Sequence, residues 1–248
     1  AAFGITVIDN SSAWRMDKTK KLIIPEINAA LLKKNDKIIA NPNCSTIILL
    51  LILAPLHKKY KVQRVVLSTY QSVTGTGMRA VEQLMNERKG IEPFKVYPYP
   101  IDLNLFPQIG PFYENGYCEE EMKLVNETEK IMRTDKIKIT ATTVRVPVIG
   151  GHSQSVNLKF QKDFKSIDEI RKHLAASPGI TVEDDITNMR YPMPINAHAK
   201  DNVLVGRIRK DETQSKTINL WSCGDNLRKG SATNAVQIAE YLMKNRMM

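Results

Sequence analysis

Cysteine is scarce, with three residues in 248. An odd, small number in a chain of this length excludes a disulfide-stapled scaffold and points to a reducing, cytoplasmic compartment. Glycine and proline number 12 each, which excludes collagen-like and low-complexity chains. Aromatic residues make up 6%, too few for base-stacking platforms. No apolar run approaches the roughly 20 residues that a membrane span needs. The longest, Ile47 to Leu56, contains Pro55, gives way to His57-Lys58-Lys59, and reads as a core helix. The first residues have neither a basic stretch nor a long apolar one, so no secretory signal is expected. No internal repeat is found. There is no initiator methionine either. The stretch Gly4 to Asp9 reads as a strand already inside a fold, and a missing N-terminal portion is expected.

What is present is ordinary globular composition, 42% apolar and 25% charged, with chain enough for a real core. The formal charge of +10 raises the question of a nucleic-acid partner. Lys and Arg are scattered, at most in twos such as Lys33-Lys34, Lys58-Lys59 and Arg228-Lys229, so a solvated basic surface and an anionic small substrate are expected instead.

The patterning predicts strands at 4–8, 37–40, 64–70, 136–148, 153–160, 203–209 and 217–222. It predicts helices at 45–60, 78–88, 119–132, 166–175 and 229–245. Pro55 should kink or shorten the first helix. Residues 90–111 carry five prolines and read as a long functional loop. In 153–160, Val156, Leu158 and Phe160 alternate with polar residues, which suits a sheet with one wet face. In the last helix, Ala232, Val236, Ala239 and Leu242/Met243 form the expected buried stripe.

The most informative stretch is Asn41-Pro42-Asn43-Cys44-Ser45-Thr46, between a strand and an apolar helix. Pro42 ends the strand and Asn43 can cap the helix. Cys44 then meets the free N–H groups and positive dipole of the first turn, which favour a thiolate and can hold an oxyanion. A small buried residue at a helix start remains an equally simple reading of one cysteine. Of four histidines, His152 follows Gly150-Gly151 and opens a strand, a suitable place for a base. His57 reads as a helix-end residue, His173 as solvated and His198 as a loop residue. Arg145, among Thr142, Val144, Val146 and Val148, needs a buried anion, either a bidentate substrate carboxylate or an internal salt bridge. Glu120 and Lys123 share a helix face, as a surface ion pair or as a site. Trp14 and Arg15 are compatible with a stacked surface pair.

These motifs, with Ser68 to Gly77, Arg145-Val146-Pro147, His152-Ser153, Val7 to Arg15, Pro25 to Asn28, Val205 to Asp211 and Asp225 to Gly230, resemble the bacterial-type aspartate-semialdehyde dehydrogenases along almost the whole chain. The resemblance implies reversible conversion of β-aspartyl phosphate and NADPH into L-aspartate β-semialdehyde, NADP and phosphate. The reaction serves lysine, diaminopimelate, threonine and methionine biosynthesis. It implies Cys44 as thioester-forming nucleophile, His152 as acid/base, and Gln71 as the amide orienting substrate at the thiol. Arg145 matches the clamp on the substrate α-carboxylate and Glu120 the partner of its α-ammonium. Arg15, Asn43 and Lys123 match the phosphate set. Asn226 and Gly75-Thr76-Gly77 match segments near the cofactor, no metal is implied, and a homodimer or tetramer is the family habit. Cys118 and Cys223 match no catalytic motif and read as structural.

The implied fold is α/β plus α+β. Residues 1–43 would be the C-terminal part of an NADP-binding Rossmann-type domain, 44–225 a glyceraldehyde-phosphate-dehydrogenase-like catalytic and dimerisation domain, and 226–248 a helix returning to the cofactor domain. The family's glycine-rich phosphate loop after an N-terminal strand is not found. Two alternatives stay open: an N-acetylglutamyl-phosphate-type acyl-phosphate reductase, and a silent dimerising fragment. The Glu120/Arg145 pair speaks against the first, because only a free amino acid needs both charges. A thiol reactive near neutral pH would speak against the second.

Overall fold

A computed structural model describes residues 5–247, so Gly4 of the first expected strand lies outside the described residues. Strands β1 (Val7–Asp9), β2 (Lys21–Leu22) and β3 (Ile38–Ala40) form a parallel sheet in the order β1-β3-β2. Helices α1 (Pro25–Asn28) and α7 (Thr233–Lys244) accompany it. Ile23, Leu32, Ile39, Ile238 and Leu242 make its small core.

The larger sheet contains β4 (Val62–Gln71), β5 (Lys138–Arg145), β6 (His152–Phe160), β7 (Ile180–Val182), β8 (Val203–Lys210) and β9 (Thr217–Gly224). Its order is β5-β4-β6-β9-β8-β7. The pairs β4/β5 and β7/β8 are parallel and the rest antiparallel, so the sheet is mixed as expected. Helix α2 (Cys44–Tyr60) lies across β4, β6 and β9, α4 (Glu119–Met132) against β5, and α5 (Ile167–Ala175) against β7 and β8. Val156, Leu158 and Phe160 face this buried side while Ser155 is exposed, which matches the alternation in the sequence. Helices α3 (Met78–Arg88) and α6 (Pro194–Ala197) complete the set.

Helix α2 is apolar on nearly every side and is buried accordingly, with Ile47 to Leu53 and Leu56 all within the main core. No helix among the described residues is long and apolar enough to cross a membrane. Pro55 neither ends nor shortens α2, which runs on to Tyr60. Packing on all sides outweighs the one hydrogen bond that proline removes. The α5 side chain of His173 donates from Nε2 to the Pro55 carbonyl, 3.0 Å away, and meets the edge of Tyr60. His173 is therefore a packed residue and not a solvated one.

The closing helix differs in phase from the sequence reading. Residues Arg228–Ala232 form a π turn before α7 begins. The wider turn rotates the stripe, so Asn234, Ile238 and Leu242 are buried while Ala232, Val236 and Met243 are exposed. The loop 90–111 is held by two side chains of α3. Gln83 accepts from the Val96 and Tyr97 amides at 2.7 and 3.0 Å, and Glu87 from the Ile101 and Asp102 amides at 2.7 and 2.8 Å.

Candidate active site

The turn from β3 into α2 builds the site. Asn43 caps the helix as the sequence predicts: its Oδ1 accepts from the amides of Ser45 and Thr46 at 2.9 and 3.2 Å. Its own amide donates to Glu127 Oε2 at 2.7 Å, and its Nδ2 donates to Glu120 Oε1 at 2.9 Å. Cys44 is thus placed at the first turn of α2, half-buried on the wall of a cavity of about 600 Å³.

The cavity gathers residues distant in sequence. Arg15, Asn43, Gln71, Gly75, Thr76, Glu120, Lys123, Arg145 and Asn226 line it together with Cys44. Two expected members stand apart. Gly77 is not among the lining residues, and His152 lies fully buried behind the wall. Gly75 separates His152 from the space. A Cβ built there would sit 3.1 Å from both His152 Nε2 and Arg145 Nη1, so a side chain at this position would press on both.

Arg145, at the end of β5, is buried at 4% exposure. Its Nη1 donates to the Ser72 carbonyl at 2.6 Å and its guanidinium lies 5.9 Å from the centre of the Tyr97 ring. Its Nε has no partner, and it pairs with no carboxylate among the described residues. The internal salt bridge left open by the sequence is therefore not made. A buried, unneutralised guanidinium beside a half-buried thiol is an anion site.

Gln71 ends β4, a strand inside the sheet. Its Nε2 donates to Glu120 Oε1 and Thr69 Oγ1, both at 3.2 Å. Lys123 stands 3.2 Å from Glu119 and 3.8 Å from Glu120, so the ion pair exists, but at the cavity wall and not on an open surface. Arg15 does not stack on Trp14, whose ring carries Lys20 instead, 5.7 Å from its centre. Arg15 donates to the carbonyls of Asn41 at 3.0 Å and Asn10 at 2.9 Å and pairs with Glu127 at 3.3 Å.

Burial, and next the Glu120 carboxylate, push the Cys44 thiol up to about 12, against the pull of Arg145 and Arg15. The expectation of a depressed thiol is therefore not met in the free site: losing water beside a carboxylate outweighs the helix end. Burial and then the Arg145 cation hold His152 down at about 3, so its imidazole is neutral. Its Nδ1 accepts from the Ser72 amide at 3.2 Å and lies 3.1 Å from Ser72 Oγ. Ser72 Oγ donates to Asn226 Oδ1 at 3.1 Å, and Asn226 exchanges bonds with Thr74.

Several site residues have no signal in the sequence. Glu127 lies two turns beyond Glu120 on α4 and is buried at 1% exposure. It joins Arg15 to the Asn43 amide. Tyr97 donates to Thr76 Oγ1 at 2.8 Å and roofs Arg145. A Cβ on Gly230 would come within 2.9 Å of Cys44 Cβ. Cys118 and Cys223 are buried beside Thr143 and Ser153 hydroxyls at 3.2 and 3.1 Å and play no part in the cavity.

Residues 53–229 match the semialdehyde dehydrogenase dimerisation domain. The chain is 48% identical over 249 residues to the aspartate-semialdehyde dehydrogenase of Aquifex aeolicus, spanning 97% of this chain and 73% of that protein. Against the enzyme of Prochlorococcus marinus it is 45% identical over 245 residues, 97% of this chain and 71% of the other. The chain belongs to the aspartate-semialdehyde dehydrogenase family. The aspartate semialdehyde dehydrogenase II of Vibrio cholerae, solved in complex with ASA, superposes with a TM-score of 0.92 at 39% identity, over 98% of this chain and 73% of that one. An aspartate-semialdehyde dehydrogenase of Candida albicans, solved with NADP, shares the fold at a TM-score of 0.76 and 24% identity, over 99% and 72%.

Proposed function

We propose that this chain interconverts β-aspartyl phosphate and L-aspartate β-semialdehyde through a thioester on Cys44. One observation carries the reading. Arg145, buried and without a carboxylate, shares its cavity with the Cys44 thiol and the Glu120 carboxylate. A free amino acid offers an α-carboxylate to the first and an α-ammonium to the last, which an N-acetylated substrate does not. Gln71 holds the β-carbonyl near the sulfur, and His152 is the acid/base group at the oxygen. Arg15, Asn43 and Lys123 hold the phosphate.

The chemistry divides accordingly. Cys44 sulfur bonds to the β-carbon of the acyl phosphate. The C–O bond to phosphate breaks with its electron pair, and the thiol proton leaves with the phosphate. A nicotinamide cofactor bound in this cavity would supply the hydride chemistry of the redox half of the reaction. Asn226, Gly75 and Thr76 fit such a group: they border the cavity beside Cys44, and the missing Cβ of Gly75 leaves a cradle against Arg145. The NADP in the Candida relative supports the same cofactor here. Gly77 would act only through the turn that carries Thr76.

The parallel β1-β3-β2 sheet suits residues 1–43 as part of the cofactor domain. Residues 44–225 then form the catalytic and dimerising part and 226–248 the return to the cofactor domain. The matched dimerisation domain supports a homodimer. The test needs no cofactor. Incubation with β-aspartyl phosphate followed by peptide mass spectrometry should find the acyl group on Cys44. A folded chain left unmodified rejects the substrate assignment.

A further inference from the structure

We infer that Tyr97 is a positioning residue for Arg145: its ring keeps the guanidinium dry and in place in the free cavity, and it does so without using the N–H groups that a ligand carboxylate takes. The inference goes beyond the functional reading above and rests on it for the identity of that carboxylate.

A buried cation needs compensation. Three kinds of group can give it. A carboxylate of the protein would fill the planar fork and compete with the ligand. Water would raise the local dielectric and weaken the attraction that the ligand feels. An aromatic face attracts the cation through its quadrupole and leaves the N–H groups in the guanidinium plane free. This site uses the third. Arg145 is buried, and the Ser72 carbonyl takes a single N–H from it at 2.6 Å. Its Nε has no partner, while its guanidinium carbon stands over the Tyr97 ring, 5.9 Å from the centre.

Tyr97 is tied down on every side. Gln83 Oε1 accepts from its amide at 3.0 Å and from the Val96 amide at 2.7 Å. Its hydroxyl donates to Thr76 Oγ1 at 2.8 Å. Burial pushes that hydroxyl above its ordinary 10, against the pull of Arg145, so it keeps its proton and stays a donor. With the hydroxyl turned to Thr76, what Tyr97 offers Arg145 is the ring alone. The Phe106 ring meets it edge-on, 5.3 Å between centres. Phe106 in turn exchanges two backbone hydrogen bonds with Arg145, at 2.9 and 3.2 Å. The clamp and its roof are therefore fixed to each other through the main chain as well as through cation and ring. Val73, Ala80, Leu84 and Ile101 form the apolar packing around Tyr97.

The partners of Tyr97 are Gln83, Thr76, Phe106 and Arg145, not the sulfur of Cys44. It should therefore govern how tightly the substrate is held and not how fast the thiol reacts.

Cys44 acylation over a range of β-aspartyl phosphate concentrations, read by peptide mass spectrometry, separates the two effects. Tyr97→Ala admits water over Arg145. The half-saturating concentration should rise about five- to thirtyfold, the range for a cation–π contact held out of water, with the rate at saturation nearly unchanged. Tyr97→Phe keeps the ring and loses the hydroxyl, and should restore most of the affinity. Equal loss in both variants, or a loss confined to the rate at saturation, overturns the proposal. Should Tyr97→Ala fail to fold by circular dichroism, Tyr97→Leu, which fills the space without a π face, takes its place with a rise in the same direction. A second readout needs no substrate. Phenylglyoxal, an arginine reagent, should label Arg145 slowly in the wild type and Tyr97→Phe and several times faster in Tyr97→Ala or Tyr97→Leu. Equal labelling in all of them overturns the proposal. If the wild-type chain is never acylated, the substrate reading fails while the labelling rates still decide whether the ring shields Arg145.

Discussion

At the scale of single residues, the site is a set of groups held out of water in the charge state they need. His152 shows the cost. Its folded value of about 3 lies below the ordinary 6.5, so between those values the unfolded chain binds a proton that the folded chain refuses. Stability should therefore fall as pH drops from about 6.5 toward 3, by at most about 1.4 kcal/mol per pH unit. Thermal unfolding midpoints across that range should show the slope in the wild type and its loss in His152→Gln. Arg145→Lys keeps the charge but loses the planar fork. The concentration of β-aspartyl phosphate that half-saturates Cys44 acylation should rise about ten- to a hundredfold, the equivalent of about 1.5–3 kcal/mol for charge-assisted bonds. Cys44 was legible because everything that places it is local: Pro42 ends a strand and Asn43 caps a helix within three residues. Glu127 was not, because its bond to the Asn43 amide spans 84 residues. No property of residue 127 alone announces its partner.

At the scale of elements, α4 acts as a ruler. Glu120, Lys123, Glu127 and Lys130 recur every three or four residues and so share one face. Glu120 meets Asn43 and Gln71, Glu127 meets Arg15 and the Asn43 amide, and Lys130 donates to the Asp17 carbonyl at 2.8 Å. One rigid helix thereby sets the cysteine turn and the proposed phosphate-binding arginine against each other. Glu127→Gln keeps the size and loses the charge. It should leave the rate of acylation nearly intact. The phosphate concentration that half-saturates phosphorolysis of the acylated Cys44 should rise about fivefold or more. A similar shift in both steps would mean that Glu127 merely supports the fold. The helix itself was expected from the sequence, as was α2, an apolar run behind a capping asparagine. The phase of α7 was not, since Gly230 inside the π turn does not by itself announce the extra residue.

At the scale of the whole molecule, the closing segment of the chain is fastened to the small-sheet layer by a buried ion pair. Lys229, 1% exposed, reaches from the π turn to Glu26 of α1 at 2.7 and 2.9 Å and to Asn234 at 3.2 Å. Removing the anion strands a buried cation, so Glu26→Ala should cost about 3–5 kcal/mol in chemical denaturation, whereas a surface pair such as Arg228–Asp201 should cost less than about 1 kcal/mol. Sedimentation should give twice the chain mass of 28.1 kDa if the dimerisation domain behaves as its match implies. The sequence showed both layers, because strand and helix periods are local, but not their order. The neighbour of β4 on one side is β5, some 70 residues onward, and only long-range pairing decides that.

The close fit of Gly230 over Cys44 also bears on how the molecule comes into being. The surface that seats the cysteine turn is translated some 186 positions after it. Until then the thiol stands in water as an ordinary cysteine, open to any oxidant or electrophile in the cell. Only when the final turn and α7 close over it does it become the shielded, weakly acidic group described above. A growing chain thus carries the proposed nucleophile unshielded while those 186 residues are made.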